Sequence, residues 1–407
     1  MSNPPPPVMG PLVGFRVLEM GNFLAAPFAG MVFADFGADV IKIERPVGGD
    51  EVRGWRLLRG ETSMLYRTLA RNKRSITLDL SADVGRELAL DLVRHSDVVL
   101  ENFRPGTLER WGLGPSELAA VNPDIVLVRI SGYGQTGPYR DRAGFGGVAE
   151  AFGGLRHITG DPGLPPSRSA ASIGDTVAGL YGVIGALMLL LRRRGTPTEP
   201  QVVDVALYEA VFSLLESLVP DYDAYGVIRQ RTAGSLPGVV PSGVYPCRDG
   251  RQVVIGANAN RVFTRFMLAI ERPDLAEDPS MADGPGRAAH EGLLDEAIAA
   301  WTQIQSVEQV LDVLQKAGVP AGCVHDAATI VKDEHYIARG MLQEHDVPVD
   351  GPPQAVRFPG VVPKISGVNA EARWVGPELG AHTDEVLLDL LGLDSERCAR
   401  LRDEGVL

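Results

Sequence analysis

At 407 residues, with 45% hydrophobic and 22% charged side chains, the chain is long enough for two cored lobes and has the composition of a globular protein. A formal net charge of -13 and an aromatic content of 6% exclude a broad nucleic-acid-binding face, which needs excess cations and stacking platforms. Three well-separated cysteines, Cys247, Cys323 and Cys398, show neither metal-ligand spacing nor a disulfide framework and point to a reducing, cytoplasmic setting.

The proline-rich opening residues have neither the basic nor the apolar region of a signal peptide and read as an unstructured lead-in. Beyond them, β-branched apolar runs alternate with amphipathic stretches, the pattern of βαβ units around a parallel sheet. Strands are expected at 15–20, 39–44, 75–80, 97–101 and 124–130, with helices at 27–36 and 82–95 between them. The apolar run 177–191, closed by Arg192, Arg193 and Arg194, is shorter than the ~20 residues a bilayer span requires. It reads as a buried core helix, and no membrane partner is expected. A strand at 201–205 leads into a helix at 206–218, after which periodicity breaks down over 220–238. Segments 243–247 and 252–255 then flank the turn Arg248-Asp249-Gly250 as a hairpin, followed by helices at 262–269 and 291–303. Ser306 and Gln309 form a capping box that opens a helix to Lys316, and Gly318 supplies its stop. A last helix is expected at 380–393. The fold class is therefore α/β: a Rossmann-like large domain with a parallel sheet over 1–220, a linker at 221–240, a smaller α+β domain at 241–330, and a return segment at 331–407 that packs on the large domain.

The loop-to-helix step 21–30 follows the first strand, at the carboxyl edge where open α/β sheets take ligands. Glu44 stands where a dinucleotide fold keeps its ribose-binding acid, but Leu24 and Ala26 break the Gly-x-Gly-x-x-Gly spacing and argue against a dehydrogenase. Arg45, the cluster Arg71-Asn72-Lys73-Arg74, and Arg104 offer charge-assisted bonds to phosphate, and Phe103 offers a face to an adenine ring; the alternative is solvated surface charge. Asp175 precedes the apolar helix at a glycine-flanked turn. It reads either as an N-cap or, in the same geometry, as an ionised carboxylate nucleophile. Seven scattered histidines lack ligand spacing, so no metal site is expected, and no Gly-x-Ser-x-Gly elbow is present. His382 reads as capping or ordering a helix start.

In their order and spacing, several segments together resemble the class III CoA-transferases, the family of formyl-CoA transferase, carnitine CoA-transferase and the α-methylacyl-CoA racemases. They are residues 12–19 (LVGFRVLE), 36–46 (FGADVIKIERP), 71–80 (RNKRSITLDL), 101–106 (ENFRPG), 131–138 (SGYGQTGP), the Asp175 segment and 380–383 (GAHT), and they span nearly the whole chain. The resemblance implies that Asp175 is the catalytic nucleophile and that Arg45, Asn72, Lys73, Arg74, Asn102, Phe103 and Arg110 contact coenzyme A. It also implies an interlocked homodimer, or pairing with a homologous second subunit, and a CoA thioester as substrate with no permanently bound cofactor.

Racemases of the family use a histidine at the position held here by Phe145, so one of the two proton-transfer groups is missing and CoA transfer is the expected reaction. Leu24 and Gly146 replace polar active-site residues of formyl-CoA transferase, which argues against oxalate. Arg53, Trp55, Arg56 and Arg59 either decorate an exposed helix or hold a second carboxylate. The second reading gives succinyl-CoA as donor and a C4–C5 dicarboxylate such as malate, citramalate, mesaconate or itaconate as acceptor. Asn22, Arg53, Trp55 and Phe145 are the expected acid contacts. The alternatives are a racemase with another base and a non-catalytic CoA-binding protein.

Overall fold

The computed structural model describes residues 10–58, 62–192, 199–236, 238–349 and 351–407. The lead-in 1–9, Arg59, Arg193 and Arg194 lie outside the described residues. The chain divides into two compact units. One comprises the chain up to Leu155 with Ser169–Ser217 and His335–Leu407; the other comprises Arg156–Arg168 and Leu218–Glu334. Segment 156–168, expected in the large lobe, thus clusters with the second unit.

The first unit is built on six parallel strands: β1 (Arg16–Glu19), β2 (Asp39–Glu44), β3 (Lys73–Thr77), β4 (Val98–Glu101), β5 (Val126–Ser131) and β6 (Gln201–Ala206). Their order is β3-β2-β1-β4-β5-β6. The inner strands are buried on both faces, which is why they read as continuous apolar runs, whereas β6 at the edge alternates. Strand order reverses between β1 and β4, and such a switch point opens a crevice beyond the carboxyl ends of the two strands. β3 begins two residues earlier than expected. Its Lys73 is drawn into the interior by Glu19 at 2.6 Å, a buried pairing that a hydropathy pattern scores as polar.

Five helices flank this sheet where it bears on the site: α1 (Ala25–Asp35), α2 (Asp83–Arg94), α3 (Gly146–Phe152), α4 (Ile173–Arg192) and α5 (Leu207–Phe212). α4 starts four residues ahead of the expected apolar run, so Asp175 lies inside its first turn and does not precede the helix as a cap. With 20 residues it is long and apolar enough to cross a membrane by length and composition, in contrast to the shorter span expected. Its small residues face the fold: a Cβ on Gly179 would stand 2.8 Å from the Ala25 carbonyl, and one on Gly182 3.0 Å from Val128. Ala178, Val183 and Ala186 join Val17, Phe33 and Val126 in the core of that face. The larger Leu180, Tyr181, Ile184, Met188 and Leu191 remain exposed, so α4 is buried along one side only. α5 ends six residues short of the expected 218, and Glu216 beyond it adopts φ +53.

On the other face of the sheet, Leu18, Ile41, Ile76, Leu92 and Val99 pack with Val386, Leu387 and Leu401 from the end of the chain. The first unit also carries an antiparallel hairpin, Leu342–Pro348 with Pro353–Pro359. No strand is expected there from the sequence, because only Val347 and Phe358 are buried and no apolar alternation results. His382 precedes the helix Thr383–Leu391 without a capping bond. Instead its N–H donates to the Ser75 carbonyl at 2.9 Å and its Nδ1 accepts from the Ser75 N–H at 3.2 Å, tying the helix start to β3.

The second unit contains an antiparallel three-stranded sheet, Ser242–Pro246, Gln252–Gly256 and Ala321–Cys323. Helices Asn260–Ala269, Glu291–Gln303 and Val307–Lys316 supply Phe263, Phe266, Leu294, Ile298, Val310 and Leu314 to its core. The hairpin and the Ser306–Gln309 capping box are both formed.

Candidate active site

The floor of the switch-point crevice is set by buried charge. Lys42 on β2 donates to Glu19 Oε1 at 3.0 Å and to the Gly21 carbonyl at 2.9 Å, and pairs with Asp50 at 2.8 Å. Burial disfavours a charged lysine, but Asp50 and Glu19 overcome that and hold Lys42 well above its ordinary pKa. Asp50 in turn accepts the Phe23 N–H at 3.1 Å. Phe23 sits at φ +63, a left-handed conformation that a bulky residue adopts only when its surroundings impose it.

From the other side of the switch point, Asn102 Oδ1 accepts the Asn22 N–H at 2.9 Å and Asn102 Nδ2 donates to the Asn22 carbonyl at 2.7 Å. A Cβ on Gly21 would stand 2.6 Å from Asn102 Oδ1, so only glycine permits this approach. The next residue is fixed as firmly. Glu101 accepts the Phe103 N–H at 2.7 Å and the Arg129 Nε–H at 2.6 Å, and the Phe103 ring meets Trp111 edge-on at 5.1 Å. Burial pushes Glu101 up to about 7, with Arg129 drawing it back.

These loops and the one after β5 enclose an open cleft of about 320 Å³, lined among others by Asn22, Asn102, Phe103, Phe145 and Asp175. Gly132, just past β5, and Gly144 meet backbone to backbone: a Cβ on either would stand 2.6 or 2.5 Å from the other's Cα. The chain is thereby turned into α3 at Gly146, whose Cα faces the Asp175 carboxylate; a Cβ there would lie 2.2 Å from Asp175 Oδ2. The first turn of α4 gives that carboxylate a favourable helix-end field. The resulting group is a carboxylate lining an open cleft with bare backbone beside it, an arrangement suited to attack on an acyl carbon.

Other residues singled out in the sequence stand elsewhere. Arg45 bonds the Gly49 carbonyl at 3.1 Å and Glu51 at 2.8 Å. Asn72 donates to Asp35 and to the Glu371 carbonyl, and Lys73, lowered to about 8 by burial, is engaged by Glu19 and the Pro27 carbonyl. Arg74 pairs with Asp39 and Glu385, and Arg110 donates to Thr107. Arg53 is buried and grips Glu44 at 2.7 and 2.8 Å, so it does not line the cleft. Glu44 also accepts from Tyr66 and Ser75, an anchor rather than an open ribose-binding acid. Trp55 lies behind the lining, 5.3 Å from the Phe23 ring and 6.4 Å from that of Phe145. Arg56 is exposed. Arg142 lines the cleft but was not singled out; a cation four residues ahead of Gly146 was its only signal.

The sequence model of CoA-transferase family III matches residues 12–383. The chain is 46% identical over 410 residues to the succinyl-CoA–D-citramalate CoA-transferase of Chloroflexus aurantiacus, covering 100% of both chains. It is 38% identical over 400 residues to the alpha subunit of the succinyl-CoA–L-malate CoA-transferase of Chloroflexus aurantiacus, covering 98% of this chain and 92% of that one. The crystal structure of a CaiB/BaiF family protein from Brucella suis superposes with a TM-score of 0.82 at 31% identity, covering 94% of this chain and 100% of the other. A parallel sheet with a carboxylate-bearing cleft beyond its switch point, and a match that spans most of the sequence, lead to one conclusion: the chain belongs to CoA-transferase family III and is a CoA-transferase.

Proposed function

We propose that the chain moves CoA from succinyl-CoA to a C4–C5 dicarboxylic acid such as malate or citramalate, with Asp175 as covalent carrier. The apposition of the Asp175 carboxylate and Gly146 in the cleft carries this reading, and the names of the citramalate and malate enzymes support the substrate class. An Asp175 oxygen attacks the thioester carbonyl carbon; the C–S bond breaks, giving a mixed anhydride and CoA thiolate. The thiolate attacks the Asp175 acyl carbon, releasing succinate and forming an aspartyl-CoA thioester. The acceptor carboxylate then attacks that thioester and expels the thiolate. Finally the thiolate attacks the acceptor's acyl carbon, freeing Asp175 and the product CoA ester. No net proton is transferred. Each addition places charge on an oxygen, and backbone N–H groups at the start of α4 are the donors we assign to it.

Asn102 and Phe103 are the coenzyme contacts this reading retains, with Arg104 beside them, and Asn22 and Phe145 the acid contacts. Phe145 can neither give nor take a proton, which favours transfer over racemisation. The CoA ester enters as substrate, without a permanent cofactor, and a cytoplasmic location goes with it. The reading includes an interlocked homodimer, or pairing with a homologous second subunit of the kind the malate enzyme's name describes. The exposed apolar stripe of α4 supports such an interface.

Mass spectrometry after incubation with succinyl-CoA and hydroxylamine tests the carrier: a hydroxamate is expected on the Asp175 peptide and none in Asp175→Ala. An unlabelled enzyme that washes deuterium into a branched acyl-CoA would be a racemase instead.

A further inference from the structure

A dicarboxylate keeps one ionised group while the other reacts, and enclosing that group without a counter-charge is costly. Arg53, which sequence reasoning offered for this task, is committed to Glu44. Among the described residues lining the cleft, the cationic ones are Arg104 and Arg142. Arg104 directly follows Phe103, on the loop given above to the coenzyme. Arg142 belongs to the loop after β5, four residues before the glycine that meets Asp175.

The Arg142 guanidinium lies 3.5 Å from the centroid of the Tyr139 ring. Tyr139 is itself set edge-on against Tyr133 and Phe152, each at 6.0 Å, so the platform under the cation is braced from two sides. No carboxylate of the described residues pairs with Arg142. A guanidinium stacked through its face keeps the N–H groups of its edge available in one plane, the geometry that takes a carboxylate bidentately. The ring also disfavours rotation of the guanidinium out of that plane.

We infer that Arg142, backed by Tyr139, is the specificity residue that receives the remote carboxylate of the acid, in the succinyl donor and in the acceptor by turns. This rests on the dicarboxylate reading above. One cation then serves both halves of the exchange, since donor and acceptor occupy the site successively and each presents a carboxylate away from the reacting carbon.

The test is steady-state CoA exchange from succinyl-CoA to L-malate and to citramalate in Arg142→Gln, Arg142→Lys and Tyr139→Leu, with CoA affinity measured separately by calorimetry. In Arg142→Gln, kcat/KM for the dicarboxylate is expected to fall about 100-fold. Arg142→Lys should recover part of it, and Tyr139→Leu should lose several-fold. Competitive inhibition by succinate should weaken in Arg142→Gln until it matches that by butyrate, while CoA affinity stays within two-fold, roughly the scatter of such measurements. Unchanged acid kinetics, or a parallel loss of CoA affinity that marks Arg142 as a phosphate contact, would overturn the inference. Failure of the underlying reading appears in a different place, as a wild-type enzyme that exchanges no dicarboxylate, and it takes the inference with it.

Discussion

The carboxylate of Asp175 rests on the bare α-carbon of Gly146, so closely that a methyl group there would stand 2.2 Å from Oδ2 and 3.0 Å from Cγ. Atoms do not approach that far, and Gly146→Ala must swing Asp175 aside. Because reactivity depends on sub-ångström placement, kcat is expected to fall about 100-fold or more, with the circular dichroism spectrum retained. Hydroxamate yield on the Asp175 peptide, measured beside steady-state exchange, checks this; a normal rate would mean that Asp175 acts from another rotamer.

Asn102 holds both backbone polar groups of Asn22, its N–H and its carbonyl, from across the switch point. Asn102→Ala leaves a partly buried N–H and C=O without their partner and should cost about 1–3 kcal/mol in urea unfolding. The Michaelis constant for the CoA ester should rise as the loop loosens. Asn102→Asp keeps the acceptor for the N–H but sets an oxygen against the Asn22 carbonyl, so it should rescue neither property fully.

Arg53 and Arg142 separate cleanly. Removing Arg53 strands Glu44 as a buried, partly uncompensated charge, and Arg53→Gln should destabilise the fold by about 3–5 kcal/mol. Its ratio of KM values for dicarboxylate and monocarboxylate acids should stay that of the wild type. A changed ratio with an unchanged denaturation midpoint would return Arg53 to the substrate.

Burial alone would raise the Glu44 carboxyl, but the Arg53 guanidinium, Lys42 and the Ser75 hydroxyl override it and hold Glu44 at about 2, against an ordinary 4.5. A folded-state value below the unfolded one makes the ionised carboxylate stabilising. That contribution is fully present above about pH 4.5 and is lost as pH falls toward 2, and the shift corresponds to about 3 kcal/mol. Urea midpoints between pH 5 and pH 2.5 should therefore decline more steeply in wild type than in Glu44→Gln. Equal slopes would remove Glu44 from the acid response.

Much of the sheet was legible because its inner strands are β-branched runs buried on both faces; β1, β2, β4 and β5 were located to within two residues. β3 was displaced because Lys73 behaves as a core residue only when Glu19, 54 positions away, comes to meet it. The same limit applies to Arg53. Its pairing joins the short turn Glu51–Gly54 to Glu44 at the buried end of β2, and no local pattern distinguishes it from a surface cation. Asp175 could be named from its motif but not assigned its partner, since the contact with Gly146 joins two helices separated by a long loop. Arg142 was missed for a related reason: the Tyr139 face that orients it exists only once the aromatic rings of four separate positions have gathered.

The backbone contact between Gly132 and Gly144 closes the neck of loop 133–143, so this stretch leaves and re-enters the fold at a single point, and Asp204 secures it by accepting the Gln135 N–H. Tyr139 and Arg142 lie inside the neck and Gly146 and Asp175 outside it, but Tyr133 and Tyr139 reach across to Phe152 on α3, so the loop and the helix that begins at Gly146 are packed together. On the assignment of Arg142 proposed above, acid selectivity is shared between this loop and the frame that carries Asn22 and Phe145, so transplanting residues 133–143 alone should shift the preferred acid only in part.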